Sequence, residues 1–167
     1  PGSEVLNLSQ EFPAVQTSAW EAVIAKDLKG ADYEKKLVWR TEEGLPVRPY
    51  YRQENLSGME PQLSMRRTMR GWEIVAGAER SKDAIRADLL HEAGAHSIQE
   101  LGYAIAIGVE RLAELTGKKS VDDAAREIEF VMAVGPSYFI EIAKLRAARL
   151  LWAQAVAAFN PKSPDAC

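Results

Sequence analysis

The order of secondary-structure patterns in the second half of the chain constrains its fold most. Residues 127–134 are rich in β-branched and aromatic side chains and predict a strand. A long apolar helix pattern follows over residues 137–159. Before the strand, apolar or small residues recur in steps of three and four and predict one helix face, at Ile98, Leu101, Ile105, Gly108, Leu112 and Leu115. Alternation of helix, strand and helix favours an α/β fold with parallel strands.

Local signals place the ends of these elements. Gly117 is expected to end the first long helix, and Ser120 with Asp123 forms a capping-box pattern that opens a short one. Gly135 and Pro136 predict the start of the last helix, with Pro136 at its first position. Because that helix is apolar around most of its circumference, we expect it to be buried on more than one side.

The first 61 residues predict an N-terminal arm, and residues 62–167 a separate domain. The arm opens with Pro-Gly-Ser, which is typical of a cleaved tag. Ser18 and Glu21 form a capping-box pattern before a helix that Gly30 is expected to end. Two extended segments, residues 36–41 and 46–51, predict a short hairpin. The arm has too few aliphatic residues for its own core, so we expect it to pack on something else.

Composition excludes several classes of protein. A chain of 167 residues with 47% hydrophobic and 27% charged residues can bury a core, unlike a disordered chain. The net charge of −3 gives little support for binding nucleic acid or a membrane surface. The longest apolar stretch is interrupted by charged residues, and Cys167 is the one cysteine. We therefore expect a cytoplasmic protein without an internal disulfide.

A basic segment separates the arm from the α/β region. Arg66, Arg67 and Arg70 lie close together before a short strand pattern at residues 72–76. These arginines are weak candidates for contacts with a phosphate-bearing ligand. The alternative interpretation is a solvated loop.

Few other residues carry a chemical motif. His91 and His96 lie five positions apart, whereas a zinc-binding helix needs its histidines four apart on one face. We therefore predict no metal site and expect both histidines to be hydrogen-bonded loop or cap residues. Glu141 and Lys144 lie three positions apart and predict a surface or interface ion pair. No motif marks a catalytic residue.

Several segments resemble the methylmalonyl-CoA mutase family of adenosylcobalamin-dependent acyl-CoA mutases. The most specific one is Tyr138-Phe139-Ile140-Glu141-Ile142-Ala143-Lys144-Leu145-Arg146-Ala147-Ala148-Arg149-Leu150-Leu151-Trp152. The others are Lys26-Asp27-Leu28-Lys29-Gly30, Glu43-Gly44-Leu45-Pro46-Val47, Glu92-Ala93-Gly94-Ala95 and Gln99-Glu100-Leu101-Gly102-Tyr103-Ala104. Together with nearby matches they span most of residues 18–160.

The resemblance implies a fold and an activity. Catalytic members are isomerases that move a carbon-skeleton group by a radical route started at adenosylcobalamin, inside a (β/α) barrel that binds acyl-CoA. Such a barrel takes about 250 residues. We therefore predict an α/β fold with an incomplete, helix-rich (β/α) barrel-like unit after the extended arm. Its candidate strands lie at residues 72–76, 85–90 and 127–134.

Positions that match the family's functional residues have changed. The resemblance places the active-site histidine at Leu89, and an arginine and a serine that meet coenzyme A at Glu127 and Glu129. Two carboxylates on one strand face would repel a phosphate-bearing ligand. Arg70 remains an arginine, whereas Glu73 and Val75 replace a hydroxyl residue and a second arginine. The family's cobalt-ligand motif Asp-x-His-x-x-Gly is absent from the sequence.

These changes predict a shortened small subunit that is catalytically silent, binds no cofactor itself and serves assembly. Its expected partner is a second copy or a larger mutase subunit. One alternative is the acyl-CoA-binding part of a cobalamin-dependent isomerase completed by other chains or residues, with Arg66, Arg67 and Arg70 as phosphate contacts. Another is an unrelated small α/β scaffold, in which changes to the long helix affect only stability.

Overall fold

The computed structural model describes residues 12, 14–59 and 83–163, which fall into two compact units divided between Tyr51 and Arg52. The predicted domain boundary after residue 61 and the predicted strand at residues 72–76 lie outside the described residues. Both stay predictions.

The first unit begins with helix α1, Thr17–Asp27. This confirms the predicted helix, but the predicted capping box is wrong, because Gln16 is the N-cap and Ser18 lies inside the first turn. The Gln16 backbone is extended and its carbonyl accepts the first helical hydrogen bonds. After α1 the chain turns at Gly30, whose φ of +87° is favourable only for glycine.

A short helix and a hairpin complete the first unit. In helix α2, Tyr33–Leu37, the backbone N–H of Lys35 donates to the Asp32 carboxylate at 2.9 Å. Because this cap holds residues 36 and 37 in the helix, the predicted extended segment at residues 36–41 is wrong in its first part. Strand β1, Trp39–Arg40, pairs antiparallel with β2, Pro46–Val47, which confirms the hairpin.

The described part of the first unit has no buried apolar side chain. Helix α1 contains no buried residue, and Thr41 is the one buried residue among residues 14–51. The rings of Trp20 and Tyr50 contact edge to face at a centroid distance of 5.2 Å. This part of the chain therefore lacks a hydrophobic core of its own.

The second unit opens with the 3₁₀ helix Gln53–Leu56 and contains a parallel pair of strands. Strand β3, Ile85–Arg86, pairs with β4, Phe130–Val131, so that Ile85 lies opposite Phe130. The parallel direction is as predicted, but each strand has only two residues, fewer than predicted.

A helix begins soon after β3, and another helix ends soon before β4. The Arg86 guanidinium donates to both oxygens of Asp88, at 2.8 and 2.7 Å, where helix α3, Asp88–Glu92, begins. Glu127, which was predicted to be extended, is the last residue of the helix before β4. Its carboxylate accepts both hydrogen bonds from Lys119 at 2.6 Å.

Helix α4, Ser97–Thr116, is the first of two long helices. His96 caps its start, because the Gln99 backbone N–H donates to the His96 ring and the Gln99 side chain accepts from the His96 N–H. Gly117 is the C-cap, as predicted. The predicted apolar face is wrong at Ile98, which is exposed, because Glu100 is buried instead. The other buried residues of α4 are Ser97, Leu101, Ala104, Gly108 and Leu112.

The short helix α5, Val121–Glu127, begins at the predicted cap residue. The Ser120 hydroxyl accepts from the Asp123 backbone N–H at 3.2 Å and donates to the Asp123 carboxylate at 2.6 Å. Ala124 and Ala125 are its buried residues and face the core.

Helix α6, Tyr138–Ala157, is the second long helix. Its N-cap is Ser137, so Pro136 precedes the helix and does not occupy its first position. Glu100 of α4 contacts Lys144 of α6, which lies 44 positions later in the sequence. Leu112 of α4 and Val156 of α6 are also 44 positions apart and belong to the same hydrophobic cluster. Because this separation stays constant along both helices, α4 and α6 pack side by side and run in the same direction.

The core lies between α4, α5 and α6. It consists of Leu112, Ala124, Ala125 and Val156, with partly buried Leu115, Val121, Ile128, Trp152 and Phe159 against it. The prediction that α6 is buried on more than one side is wrong for the described residues, because only Glu141, Lys144 and Val156 of this helix are buried. No helix in the described part of the chain is long and apolar enough to span a membrane.

Candidate functional site

A cluster of ionisable side chains lies beside the carboxyl end of the parallel strands. The buried charge cluster consists of His91, Glu100, Glu141 and Lys144, which follow β3 or belong to the two long helices. In folds built from parallel strands, ligand sites form at the carboxyl ends of those strands. This position makes the cluster the candidate functional site of the described chain.

The ammonium group of Lys144 lies at the centre of the cluster. Its Nζ atom donates to Glu100 Oε2 at 2.7 Å and to the Ala133 carbonyl at 2.8 Å. The same atom lies 2.7 Å from Glu141 Oε2, one helical turn earlier on α6. Two acceptors, Glu100 and the Ala133 carbonyl, thus receive hydrogen bonds from the ammonium, and the Glu141 carboxylate forms an ion pair with it.

Burial and charge act on Lys144 in opposite directions. The residue is 4% exposed, and loss of hydration by itself lowers the pKa of a buried ammonium. Hydrogen bonds and negative charge from Glu100 and Glu141 outweigh this loss and raise the pKa of Lys144 above its ordinary value. Lys144 therefore keeps its proton.

Glu100 joins three parts of the second unit. It is fully buried on α4, where one carboxylate oxygen accepts from Lys144 of α6 and the other accepts from the Ala133 backbone N–H at 2.8 Å. Ala133 lies in the connection between β4 and α6. The carboxylate thus ties this connection and α6 to α4.

His91 lies at the edge of the cluster. Its Nδ1 atom is 3.5 Å from Glu100 Oε2, and the ring is about one third exposed. The Gly135 backbone passes between the side chains of His91 and Glu141. A methyl group at Gly135 would lie 3.4 Å from Glu141 Oε1 and 3.6 Å from His91 Nε2. Both are ordinary van der Waals distances, so the close approach at this position does not require glycine.

The geometry indicates a structural role for the cluster. An amine attacks a carbon atom or accepts a proton only through a free lone pair, and the protonated Lys144 has none. Glu100 uses both of its oxygens inside the protein. The cluster therefore links the connection after β4 to α4 and α6, and the ammonium of Lys144 is held between two carboxylates.

The ion pair of Glu141 and Lys144, predicted at the surface or at an interface, does not lie at the surface. The pair forms, but both side chains are buried, because Glu100 supplies a second carboxylate from α4. Sequence analysis missed Glu100. Its signal was its place on the helix face that also holds Ala104 and Gly108, four and eight positions later.

The positions that the resemblance assigns to active-site residues do not converge here. Leu89 lies on α3 and is half exposed. Glu127 and Glu129 do not share a strand face, because Glu127 ends α5 and bonds to Lys119. The expected pair of carboxylates on one strand face is therefore wrong.

The predicted phosphate contacts Arg66, Arg67 and Arg70 lie outside the described residues, as do Glu73, Val75 and Cys167. His96 is a cap residue, as predicted. Within residues 14–59 and 83–163, no group of three or more histidine, cysteine or acidic residues is arranged to hold a metal ion.

Comparisons with known proteins relate the chain to one family. The family model of methylmalonyl-CoA mutase matches residues 50–167. A methylmalonyl-CoA mutase small subunit from Porphyromonas gingivalis is 27% identical, with 92% of this chain and 46% of the relative covered. That alignment spans 283 positions, more than the 167 residues of the chain, so a long stretch of the relative has no counterpart here.

Other relatives match a shorter segment at higher identity. A methylmalonyl-CoA mutase from Cereibacter sphaeroides is 47% identical over 76 residues, covering 45% of this chain and 11% of the relative. A methylmalonyl-CoA mutase large subunit from Streptomyces virginiae is 48% identical over 75 residues, covering 44% of this chain and 10% of the relative. The chain thus spans less than half the length of each of these relatives.

No solved structure matches the chain. The family model covers well over half of its residues, including the buried charge cluster and both long helices. The chain therefore belongs to the methylmalonyl-CoA mutase family.

Proposed function

We propose that this chain is an assembly subunit of an acyl-CoA mutase and is catalytically silent by itself. One observation carries the proposal. Beside the carboxyl end of β3 and β4, the ammonium of Lys144 is buried, donates to Glu100 and to the Ala133 carbonyl, and forms an ion pair with Glu141. A substrate at this edge would meet a closed ion cluster instead of free catalytic groups.

The comparison with a small subunit supports the same role. The Porphyromonas gingivalis relative aligns with 92% of this chain, and its name describes one subunit of a larger mutase. Leu89 also stands where the resemblance places a catalytic histidine, and an aliphatic side chain transfers no proton. The partner that this proposal requires is a larger mutase subunit that carries the active site.

The N-terminal arm, residues 1–61, contacts that partner in our proposal. Trp20, Trp39 and Tyr51 all expose large parts of their side chains, and the described part of the arm buries no apolar residue. Exposed aromatic residues are typical of protein–protein contacts. Residues 62–167 then form the incomplete barrel-like unit, in a cytoplasmic enzyme.

Adenosylcobalamin, the cofactor implied by the family, does not fit the two histidines of this chain. The ring of His96 accepts the Gln99 N–H as a helix cap, and Nδ1 of His91 faces Glu100. Neither histidine lies in an Asp-x-His-x-x-Gly sequence. We therefore assign cobalamin binding to residues outside this stretch of sequence.

Assembly is tested by mixing the purified chain with a purified mutase large subunit and measuring mass by light scattering. We expect a stable complex that is heavier than the large subunit by whole copies of this chain. We also expect no turnover of methylmalonyl-CoA by the chain with adenosylcobalamin. Turnover by the chain alone, or no complex at micromolar concentrations, would contradict the proposal.

The alternative function is the acyl-CoA-binding part of a cobalamin-dependent isomerase completed elsewhere. It is favoured by the 48% identity to a large subunit over 75 residues, which is higher than the identity to the small subunit. Isothermal calorimetry with acyl-CoA separates the two proposals. A silent subunit gives no binding heat. Micromolar binding that Arg66→Ala, Arg67→Ala and Arg70→Ala together abolish would favour the alternative.

A further inference from the structure

A narrow stripe along the first three turns of α6 is exposed. The α6 stripe consists of Tyr138, Ile142, Leu145 and Arg149. They are spaced by four, three and four residues, so they share an arc of about 60° on the helix. Tyr138 is 69% exposed, Ile142 41% and Leu145 42%, and Arg149 is also exposed. Buried Lys144 lies about 100° around the helix from Leu145, whereas buried Glu141 lies about 40° from Leu145 and borders the stripe.

The α6 stripe is complementary to itself when a second helix runs in the opposite direction. In that arrangement Ile142 of one copy lies opposite Leu145 of the other, and Tyr138 lies opposite Arg149. The same pairs recur on the other side of a two-fold axis that passes between positions 143 and 144. Each contact is therefore made twice, as in an isologous dimer.

The ends of the stripe favour this direction over a parallel one. An arginine beside a tyrosine ring gains a favourable cation–π contact. A parallel pair would instead place Arg149 beside Arg149, where like charges repel. Ile142 and Leu145 supply the apolar centre in the antiparallel and the parallel arrangement alike. The position of Arg149 therefore decides between them and favours the antiparallel pair.

We propose that two copies of this chain associate through antiparallel α6 stripes. This inference rests on the proposed assembly function and names a second copy of this chain as one partner. The contact pairs apolar residues at its centre and Tyr138 with Arg149 at both ends, and it covers apolar residues that the described part of the chain leaves exposed. A larger mutase subunit would bind at other surfaces, one of which is the N-terminal arm.

Sedimentation velocity on the full chain tests the proposal between about 1 and 100 µM. We expect a monomer–dimer equilibrium and a dissociation constant at least tenfold weaker for Ile142→Lys. Leu151→Lys is the matched control, because Leu151 is 40% exposed on the same helix but lies about 140° around it from Tyr138. The control should dimerise like the original chain. Circular dichroism confirms folding, and Arg149→Glu replaces Ile142→Lys if that variant unfolds.

Cross-linking tests the direction of the two helices. In a Cys167→Ser background, chains with Ile142→Cys and chains with Leu145→Cys are mixed and oxidised. Antiparallel stripes predict that the mixed disulfide forms in excess over links between two identical chains. Preferential linking of position 142 to position 142 would show a parallel contact and overturn the proposal.

Two further results would also overturn it. The first is a chain that stays monomeric at 100 µM, and the second is dimerisation that neither Ile142→Lys nor Arg149→Glu weakens. Binding to a mutase large subunit is measured separately for the same variants. If the chain is monomeric but still binds the large subunit, the proposed α6 contact is overturned and the proposed assembly function stands.

Discussion

Lys144 shows, at the scale of single residues, how a charge is kept inside this protein. Its ammonium is surrounded by Glu100, Glu141 and the Ala133 carbonyl, and its side chain is almost completely buried. A buried charge is tolerated only when its partners replace the hydration that it loses. The same contacts join the connection after β4 to both long helices, so we expect them to contribute to the stability of the second unit.

We predict that Lys144→Met lowers the free energy of unfolding by about 3–5 kcal/mol, because it leaves two buried carboxylates without their cation. Urea denaturation measures this change. Lys118→Met, at an exposed position, should change stability by less than about 0.5 kcal/mol. Adding Glu100→Gln to Lys144→Met should recover part of the loss. A double variant that is less stable than Lys144→Met would contradict this account.

Asp122 links stability to pH. Its carboxylate accepts the backbone N–H groups of Lys162 at 2.9 Å and Ser163 at 2.7 Å, and these bonds lower its pKa below the ordinary value of 3.8. Because the folded pKa lies below the unfolded one, the stabilisation is complete above about pH 4 and is lost as the pH falls through the folded pKa.

We therefore predict that Asp122→Asn lowers the melting temperature at pH 7 and that the difference from the original chain shrinks below about pH 4. Thermal unfolding followed by circular dichroism between pH 2.5 and 7 measures it. A difference that stays constant across this range would show that the carboxylate charge does not contribute.

At the scale of elements, the long helices pack closely at Gly108. A methyl group there would lie 2.7 Å from Phe130 Cζ and 2.9 Å from Trp152 Cζ3, whose rings contact edge to face. The glycine thus lets the Phe130 and Trp152 rings pack directly against the backbone of α4. This explains why a residue with poor helix propensity lies in the middle of a long helix.

We predict that Gly108→Ala destabilises the protein by about 1–3 kcal/mol through overpacking. Gly102→Ala is the matched control on the same helix, because nothing lies within 4 Å of its added methyl group. That change should stabilise the helix by about 0.5–1 kcal/mol, since alanine favours helix more than glycine does. Chemical denaturation compares them. Equal effects at both positions would contradict the close packing at Gly108.

At the scale of the whole molecule, the described residues bury few apolar side chains. The described part of the first unit buries no apolar side chain, and the core of the second unit is small. Small cores leave little net stability after the cost of ordering the chain. Association is therefore expected to contribute to the stability of the folded chain.

We predict that the melting temperature rises with protein concentration, because a dimer that forms only from folded chains stabilises them by mass action. Scanning calorimetry at about 5 and 200 µM measures the rise. Ile142→Lys, which disrupts the α6 stripe, should show a melting temperature that does not depend on concentration. If the melting temperature of the original chain is independent of concentration as well, association does not stabilise this protein.

The amino-acid sequence by itself determined features that depend on neighbouring residues. The spacing of apolar residues predicted both long helices. Gly117 and Ser120 marked the end of one helix and the start of the next, and each bonds to a residue within one helical turn. The parallel direction of the two strands also followed from the order of elements. Such signals act between residues a few positions apart, so they can be recognised in a single sequence.

Tertiary structure decided which residues are buried. Glu141 and Lys144 look like a surface pair because their neighbours on α6 do not show that Glu100, some 44 residues away, completes the ion cluster. Likewise, the residues next to Ile98 and Glu100 in the sequence do not show that Ile98 is exposed and Glu100 buried. Packing of α4 against α6 selects which face of each helix loses water, and this selection depends on residues that only folding brings together.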